Sequence, residues 1–277
     1  MSLLAPAAPA AALVGPGEVA EAFPWDGPEM AALLAGAKTG GPVEAALSSA
    51  DAVVAFTRSA GVLDALGQRA RRLVARDPAP PAGGPHASVW LAGALAPLGI
   101  DAVPEPAPLQ FTGVETVDSE AATSALPAGF LAVHPGSGSS SKNWPFDRFV
   151  EAARRSSPGR PWLLVLGPAE DDLVPPTGAV VARSLPLRRR GAVRARAGLF
   201  LGNDSGVAHL AAACGTRTLA LFGPTDPAQW SPVGPEVRTL RAPTGRLEDL
   251  DVEEVVAAAG GASAGRSAGS LSSTETP

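Results

Sequence analysis

A run of small residues with one lysine, His134-Pro-Gly-Ser-Gly-Ser-Ser-Ser-Lys-Asn-Trp-Pro145, is well suited to binding chemistry. Small residues let backbone amides and hydroxyls approach a ligand closely, and Lys142 adds a cation, so the run suits a diphosphate. A bare Gly/Ser run is more often a surface loop than a site. Lys142 shifts the balance towards a site, because Lys142 and Lys38 are the only lysines among 22 basic residues.

The same run approximates the G-x-G-x-x-G dinucleotide fingerprint over residues 136–141. We reject a dinucleotide site there, because Ser141 replaces the third glycine and no acidic residue follows at about 20 positions. The loop also continues to Pro145 before any helix begins.

A second candidate is the segment Gly202-Asn-Asp-Ser-Gly-Val-Ala-His-Leu-Ala-Ala-Ala-Cys-Gly215, where a strand turns into a helix. The first amides of that helix, together with the helix dipole, form an anion site. Ser205 can cap those amides or offer its hydroxyl to a phosphate. His209 lies one turn later on the same face. A lone histidine in an apolar helix is usually a core residue, but two of the three histidines lie in these loops, which favours a site.

Two more loops follow strands and complete the set. Gly167-Pro-Ala-Glu-Asp-Asp172 presents Glu170, whose carboxylate can accept hydrogen bonds from ribose hydroxyls; helix capping is an equally good interpretation. In Leu221-Phe-Gly-Pro-Thr-Asp-Pro-Ala-Gln-Trp230, Gly223, Thr225 and Asp226 can shape the floor of the same cleft, and a Pro-rich turn is the competing interpretation.

The elements that position these loops are clear in the second half of the chain. Buried apolar runs alternate with helices of about ten residues, which predicts a parallel, doubly wound sheet. Ligands bind at the carboxyl ends of the strands in such sheets, where all four loops lie. The predicted strands are 130–134, 162–167, 180–184, 199–202, 218–222 and 238–241, and the predicted helices begin at Pro145, Leu187, Gly206 and Leu247.

The Ala- and Pro-rich first half gives weaker signals. They predict strands over 11–14, 52–56 and 72–75, helices over 18–23, 62–69 and 86–98, and irregular structure over the Pro-rich 77–85. Residues 104–126 are predicted as loop and linker. Residues 261–277 have too little apolar content to order and are predicted to be disordered.

Composition excludes several classes of protein. A net charge of −5 without a basic cluster argues against a nucleic-acid partner. The single cysteine, Cys214, excludes intrachain disulfides and fits a reducing compartment. The amino terminus lacks the charged and long apolar regions of a signal peptide, and no run reaches the ~20 apolar residues of a membrane span. We therefore expect a cytoplasmic protein, for which peripheral contact with a membrane stays open.

Four linked motifs, HPGSGSSSKNWP, the Gly-Pro-x-Glu turn, LGNDSGVAHLAAACGT and ALFGPTDPAQWSP, resemble glycosyltransferase family 9 in order and spacing. This family contains the ADP-heptose:lipopolysaccharide heptosyltransferases. The resemblance covers about residues 130–260. It implies an α/β fold of the GT-B type, with two Rossmann-like domains facing across a cleft. We expect an acceptor-side domain over 1–127, a donor-binding domain over 128–260 and a tail over 261–277.

The resemblance implies an inverting transfer of a heptose or related sugar from a nucleoside diphosphate, most readily ADP-heptose, to a lipopolysaccharide-type or other glycan acceptor, without cofactor or metal. Lys142 would neutralise the diphosphate as it leaves. Glu170 would hold the ribose, and Asp204 with the helix from Gly206 would hold the diphosphate. The donor-site positions are Ser137, Gly138, Lys142, Glu170, Asp204, Ser205, Gly206 and His209.

The first half departs from the family pattern. Family members begin with a strand and a turn containing Gly-Asp, whose aspartate is the proposed base; we expect this chain to lack that strand–helix unit, which leaves the base unassigned. A weakly active or non-catalytic sugar-nucleotide binder is therefore the alternative function. A GT-B-type sugar-nucleotide epimerase also uses a Ser-Gly helix start, but the Lys-Asn-Trp-Pro loop fits it poorly.

Overall fold

The computed structural model describes residues 1–14, 19–105, 109–183 and 187–260. In its amino-terminal part, short parallel strands form two separate two-stranded sheets, β1 (Ser2–Ala5) with β2 (Glu21–Pro24) and β3 (Val53–Phe56) with β4 (Leu73–Arg76). The helices of this part are α1 (Ala7–Leu13), α2 (Pro28–Leu34), α3 (Pro42–Ser49), α4 (Ala60–Gly67) and α5 (Ala87–Ala92), which continues as a 3-10 helix over Gly93–Leu98.

Helices α2, α3 and α4 cover one small core in this part. Pro28 and Pro42 occupy the first helical positions of α2 and α3, where a missing N–H costs nothing. Both helices then turn apolar residues inward, and strand β3 and helix α4 supply the rest. The buried members are Met30, Leu33, Val43, Leu47, Ala55 and Leu66.

Two predictions for the first 25 residues were wrong. The strand predicted over 11–14 lies largely within helix α1, because a run of alanines favours a helix more strongly than a strand. The helix predicted over 18–23 overlaps strand β2, which pairs in parallel register with β1, Ser2 opposite Glu21. Such short apolar segments carry no period that separates helix from strand. Residue 18 lies outside the described residues.

The other strand and helix predictions for this part hold with shifts of one or two residues, but the prediction for residues 104–126 was wrong. Strands β3 and β4 and helix α4 match the predicted segments, and residues 77–85 contain neither helix nor strand. The segment 104–126, predicted as loop, contains helix α6 (Gly113–Ala122). Its signal is a capping box: the Thr112 hydroxyl accepts from the Glu115 amide, and the Glu115 carboxylate accepts from the Thr112 amide.

The carboxy-terminal part is a six-stranded parallel sheet in the order β10-β9-β8-β5-β6-β7. Its strands are β5 (Leu131–His134), β6 (Trp162–Leu166), β7 (Ala179–Arg183), β8 (Leu199–Asn203), β9 (Thr218–Phe222) and β10 (Val237–Arg241). The helices between and after them are α7 (Phe146–Ser156), α8 (Leu187–Ala195), α9 (Gly206–Ala213), α10 (Pro227–Trp230) and α11 (Val252–Gly260). The predicted strands and helices are confirmed, with small changes at their ends.

Two of the predicted helix starts differ from the structure. Pro145 precedes α7 as its N-cap, with a non-helical ψ of 134°, rather than forming the first residue of the helix. Residues Leu247–Asp249, predicted as the start of the last helix, form a separate 3-10 turn before α11. Helix α9 ends as predicted at Gly215, whose φ of 79° is the left-handed conformation that glycine adopts most readily. The end of β7 was predicted at residue 184, which lies outside the described residues, as does the predicted disordered tail 261–277.

Alternate residues of each strand face opposite sides of this sheet. Helices cover both sides, so the residues on both faces are buried. On one face Leu131 and Val133 pack with Phe149 of α7 and Val255 of α11. On the other face Val193 of α8 and Ala208 of α9 pack against a second layer of strand residues, which are Ala132, Leu163, Val165, Phe200 and Phe222. This two-sided core holds the carboxyl ends of the strands rigidly in place.

Helix α6 joins the two parts of the chain by lying along α8. Two ion pairs connect these helices, Arg188 with Glu115 at 2.5 Å and Arg189 with Asp118 at 2.5 Å, and Arg196, just after the end of α8, pairs with Glu120 at 3.0 Å. The Arg188 guanidinium holds the pKa of the Glu115 carboxyl below its usual value, against a smaller opposing effect of burial. The basic character of α8 therefore serves an internal contact. Among the described residues, every helix is too short or too polar to cross a lipid bilayer.

Candidate functional site

The strand order places the four candidate loops side by side. Strand β5 leads to β6 and β7 in one direction, whereas the chain returns to β8, β9 and β10 on the other side of β5. The order reverses between β5 and β8, where His134 is in register with Gly202. Such a reversal opens a crevice at the carboxyl ends of the two strands, the usual ligand position in open α/β sheets. The loops after β6, β5, β8 and β9 follow one another across it.

Lys142 and Asp204 meet across this crevice. Lys142 ends a 3-10 turn in the loop after β5, and Asp204 directly follows β8. The Lys142 Nζ atom donates to Asp204 Oδ2 at 2.8 Å, and the pair joins residues 62 positions apart. The Asp204 side chain is buried, with 8% exposure, whereas the Lys142 side chain keeps 30%. The cation is thus within reach of solvent and of a ligand, and its partner is not.

Thr225, from the loop after β9, donates its hydroxyl to the same Asp204 Oδ2 atom at 2.7 Å. From the sequence, Thr225 was predicted only to shape the floor of the cleft, as were Gly223 and Asp226. Asp226 instead caps α10 by accepting from the Ala228 amide at 3.0 Å. Gly223 lies in the same loop, packed beneath the backbone of residue 245. Of these three, Thr225 alone makes a hydrogen bond to Asp204.

Asn203, for which the sequence suggested no role, fixes the two sides of the crevice to each other. Its buried side chain accepts from the Trp144 amide at 3.1 Å and donates to the Pro135 carbonyl at 2.7 Å. Both partners lie in the loop after β5. The signal in the sequence was a polar residue at the end of an otherwise apolar strand, since an amide buried there must find hydrogen-bond partners.

Glu170 connects the loop after β6 with the loop after β5. Its Oε2 atom accepts from the Gly167 amide at 2.7 Å, so the capping interpretation is observed. The same carboxylate lies directly over the backbone of Gly136. Glu170 is nearly buried, and its position at the edge of the crevice is compatible with the predicted contact to a ribose.

The remaining predicted residues form the rim of the crevice. Ser205 caps α9 by accepting from the Ala208 amide at 3.4 Å, and Gly206 is exposed at the first position of that helix. The Ser137 hydroxyl donates to the Ser139 carbonyl at 2.7 Å within its own loop, and Gly138 is exposed. Ser205 and Gly206 follow β8 and Ser137 and Gly138 follow β5, so all four lie at the carboxyl ends of two neighbouring strands.

The two histidines in the loops have different environments. His134 is a core residue, and its Nδ1 lies 2.9 Å from the Val165 carbonyl. His209 has an exposed edge on α9. Desolvation by the surrounding protein lowers the pKa of His209, the nearby charges of His86 and Lys142 lower it further, and Asp204 partly opposes them. His209 is therefore neutral near pH 7 and electrostatically coupled to the Lys142–Asp204 pair.

His86 and Gln229 are further residues that the sequence did not single out. Both connect the Pro-rich segment 77–86 with α10, the helix that follows the loop carrying Thr225. The Gln229 Nε2 atom donates to the carbonyls of Pro81 at 2.8 Å and Gly84 at 3.1 Å, and His86 Nε2 lies 2.9 Å from the Ser231 carbonyl. The amino-terminal part thus contacts the wall of the crevice.

A cation, the free amides of a helix start and a carboxylate at the next loop line one crevice at the switch point of a doubly wound sheet. This arrangement is chemically suited to a phosphorylated ligand, and the sheet around it is that of a doubly wound α/β protein. The model of glycosyltransferase family 9 (heptosyltransferase) matches residues 94–258, more than half of the 277 residues. The chain belongs to this family.

Solved structures confirm the GT-B fold class. The fold is similar to that of a family 9 glycosyl transferase from Veillonella parvula DSM 2008, with a TM-score of 0.76 and 16% identity over 93% of this chain and 86% of that one. The E. coli heptosyltransferase WaaC with ADP is similar with a TM-score of 0.63 and 16% identity, over 92% of this chain and 98% of that one. The E. coli ADP-heptose lps heptosyltransferase II is similar with a TM-score of 0.66 and 20% identity, over 92% of this chain and 86% of that one. A sequence comparison with curated proteins gives no match.

Proposed function

We propose that this family 9 glycosyltransferase moves a heptose or a related sugar from a nucleoside diphosphate to a lipopolysaccharide-type or other glycan acceptor, with inversion at the anomeric carbon. The observation that carries the proposal is the pairing of Lys142 with Asp204 across the switch point, at 2.8 Å. A partly exposed lysine near the start of α9 supplies positive potential where the diphosphate of a sugar nucleotide would lie.

In the proposed reaction, each residue acts on the donor. Lys142 contacts the diphosphate and stabilises the negative charge that develops as the bond to the sugar breaks. The helix amides at Gly206 hold a phosphate oxygen, and Glu170 accepts hydrogen bonds from the ribose. ADP-heptose is the proposed donor, since WaaC has been solved with ADP and with ADP-2-deoxy-2-fluoro heptose. The residue that removes the proton from the acceptor hydroxyl stays unassigned.

We assign donor binding to residues 128–260 and acceptor binding to residues 1–127, and we propose that the reaction takes place in the cytoplasm. The contact between α10 and the segment 77–86 supports a division in which acceptor and donor meet between the two parts. Trapping the acceptor there would also exclude water and limit hydrolysis of the donor.

The test is release of nucleoside diphosphate from ADP-heptose, with UDP- and GDP-sugars as comparisons, with and without a lipopolysaccharide acceptor that lacks heptose. Release that requires the acceptor, with a glycosylated product of increased mass, supports the transferase. Donor binding without release would favour the alternative of a non-catalytic sugar-nucleotide binder. Conversion of the sugar nucleotide to its epimer without an acceptor would replace the proposal with an epimerase.

A further inference from the structure

We propose that Thr225 is a positioning residue that allows Lys142 to leave Asp204 for the diphosphate of the donor. The inference rests on the proposed function, because it requires an anionic ligand at Lys142. Two donors share one carboxylate oxygen: Lys142 Nζ lies 2.8 Å and Thr225 Oγ1 lies 2.7 Å from Asp204 Oδ2. One of these donors is charged and partly exposed, and the other is neutral and comes from a different loop.

The burial of Asp204 makes the movement of Lys142 costly. The Asp204 side chain is 8% exposed, so it cannot regain full hydration when its cation leaves. Removing the cation from a buried carboxylate costs free energy, because the negative charge then has neither its partner nor enough water around it. The Lys142 ammonium would therefore remain on Asp204 unless another donor stays behind. Thr225 is that donor, because its hydroxyl already points at the same oxygen.

The position of Thr225 relative to Asp204 does not depend on Lys142. The Asp204 amide donates to the Leu221 carbonyl at 2.8 Å, which attaches Asp204 to strand β9. Thr225 follows the same strand by three residues, and the next residue, Asp226, begins α10 as its cap. Lys142 belongs to the loop after β5, on the other side of the crevice. Movement of Lys142 consequently leaves the Thr225–Asp204 contact in place.

The inference predicts a specific dependence between two substitutions. Thr225→Val removes the hydroxyl with little change in shape, so departure of Lys142 would leave Asp204 without this donor. ADP affinity should fall about tenfold, the size of one hydrogen bond to a charged group. Thr225→Ser keeps the hydroxyl and should bind ADP like the wild type. In a Lys142→Ala background nothing departs from Asp204, so Thr225→Val should have no further effect on ADP affinity.

The experiment is a double-mutant cycle on the full chain, with ADP as the probe in titration calorimetry. Where binding is too weak for calorimetry, the rise in melting temperature at millimolar ADP gives the affinity. If Thr225→Val does not fold, Thr225→Ala replaces it in the same cycle. Equal losses from the Thr225 substitution in both backgrounds, or a Ser variant as weak as the Val variant, would assign Thr225 a purely structural role and overturn the inference.

The same data separate this inference from the proposed function. A wild-type chain that binds none of ADP, UDP and GDP, or binds them independently of Lys142, contradicts the donor site itself. ADP binding that depends on Lys142, combined with additive effects at Thr225, leaves the donor site intact and removes only the role of Thr225.

Discussion

The Glu170 carboxylate lies so close to the Gly136 backbone that a β-carbon at position 136 would overlap its Oε1 atom. The other oxygen, Oε2, accepts from the Gly167 amide at 2.7 Å. Glu170 belongs to the loop after β6 and Gly136 to the loop after β5. The absence of a side chain at one position thus lets a carboxylate of the neighbouring loop reach the edge of the crevice.

Gly136→Ala should therefore weaken ADP binding by about tenfold, because Glu170 must turn away from both the Gly167 amide and the crevice. Calorimetry with ADP measures the effect. Gly61→Ala in α4 is the matched control, since a β-carbon at position 61 meets no atom within 4 Å and the residue lies outside the site loops. In a Glu170→Ala background the Gly136 substitution should cost nothing further. If Gly136→Ala leaves ADP affinity unchanged, Glu170 does not contribute to donor binding.

Lys142→Ala should reduce the free energy of ADP binding by about 1.5–3 kcal/mol, the range for a hydrogen bond to a charged group. Arg154→Ala, which removes an exposed cation on α7, should cost only about 0–1 kcal/mol. Arg148 is a poorer control, because its guanidinium donates to the Leu250 carbonyl at 3.1 Å and so supports the fold. Equal effects at Lys142 and Arg154 in calorimetry would make Lys142 an ordinary surface lysine.

The carboxy-terminal part was predictable because its physical signals are strong and local. Strands such as β6 are continuous apolar runs that a parallel sheet buries on both faces, and helices of regular length separate them. Since every strand in such a sheet points the same way, the position of each loop follows from the strand before it. The site loops could be found for that reason.

The contacts within the site were not predictable from the same signals. Lys142 meets Asp204 because β8 lies beside β5, and a sequence does not state which strands are neighbours. The partners of Asn203 and Thr225 depend on the same adjacency. In the amino-terminal part, four-residue strands of partly exposed residues lie among Ala-rich segments, so α1 and β2 had no distinguishing period.

His209 should couple ADP binding to protonation. Its lowered pKa keeps the ring neutral in the free protein at pH 7, and an arriving diphosphate would raise that pKa. The affinity of wild type relative to His209→Asn should therefore increase as the pH falls from 8 to 6. Comparing the two proteins by calorimetry removes the contribution of the ligand, whose terminal phosphate titrates near pH 6. A constant ratio of affinities across this range would exclude the coupling.

Without ligand the same histidine should make the fold less stable in acid. A folded-state pKa below the unfolded value means that the unfolded chain binds the proton more tightly. The contribution of neutral His209 to stability is complete above the unfolded pKa of about 6.5 and is lost as the pH falls through the folded value. His209→Asn should reduce the drop in the free energy of unfolding between pH 7 and 5. A drop of unchanged size in urea titrations would contradict this.

Gln229 should stabilise the association of the two parts of the chain. Its buried side chain donates to the Pro81 and Gly84 carbonyls, 148 and 145 residues away, so Gln229→Ala removes a donor from both, although the Pro81 carbonyl keeps the Gly84 amide at 2.9 Å. We expect a loss of about 1–3 kcal/mol in the free energy of unfolding, measured in urea. Gln68→Ala makes the same chemical change at an exposed position and should stay within about 0.5 kcal/mol of the wild type.

Gln229→Ala should affect turnover and donor binding differently. Gln229 contacts the amino-terminal part rather than the crevice residues Lys142 and Asp204, so ADP affinity should change by less than about twofold. Acceptor-dependent release of nucleoside diphosphate should fall further, because a loosened contact positions the acceptor-side part less well against the donor. Steady-state kinetics with varied acceptor, beside ADP calorimetry, distinguishes the two effects. If ADP affinity falls as much as turnover does, Gln229 acts by holding the loop that carries Thr225, and the contact with residues 81–84 is not what matters for the reaction.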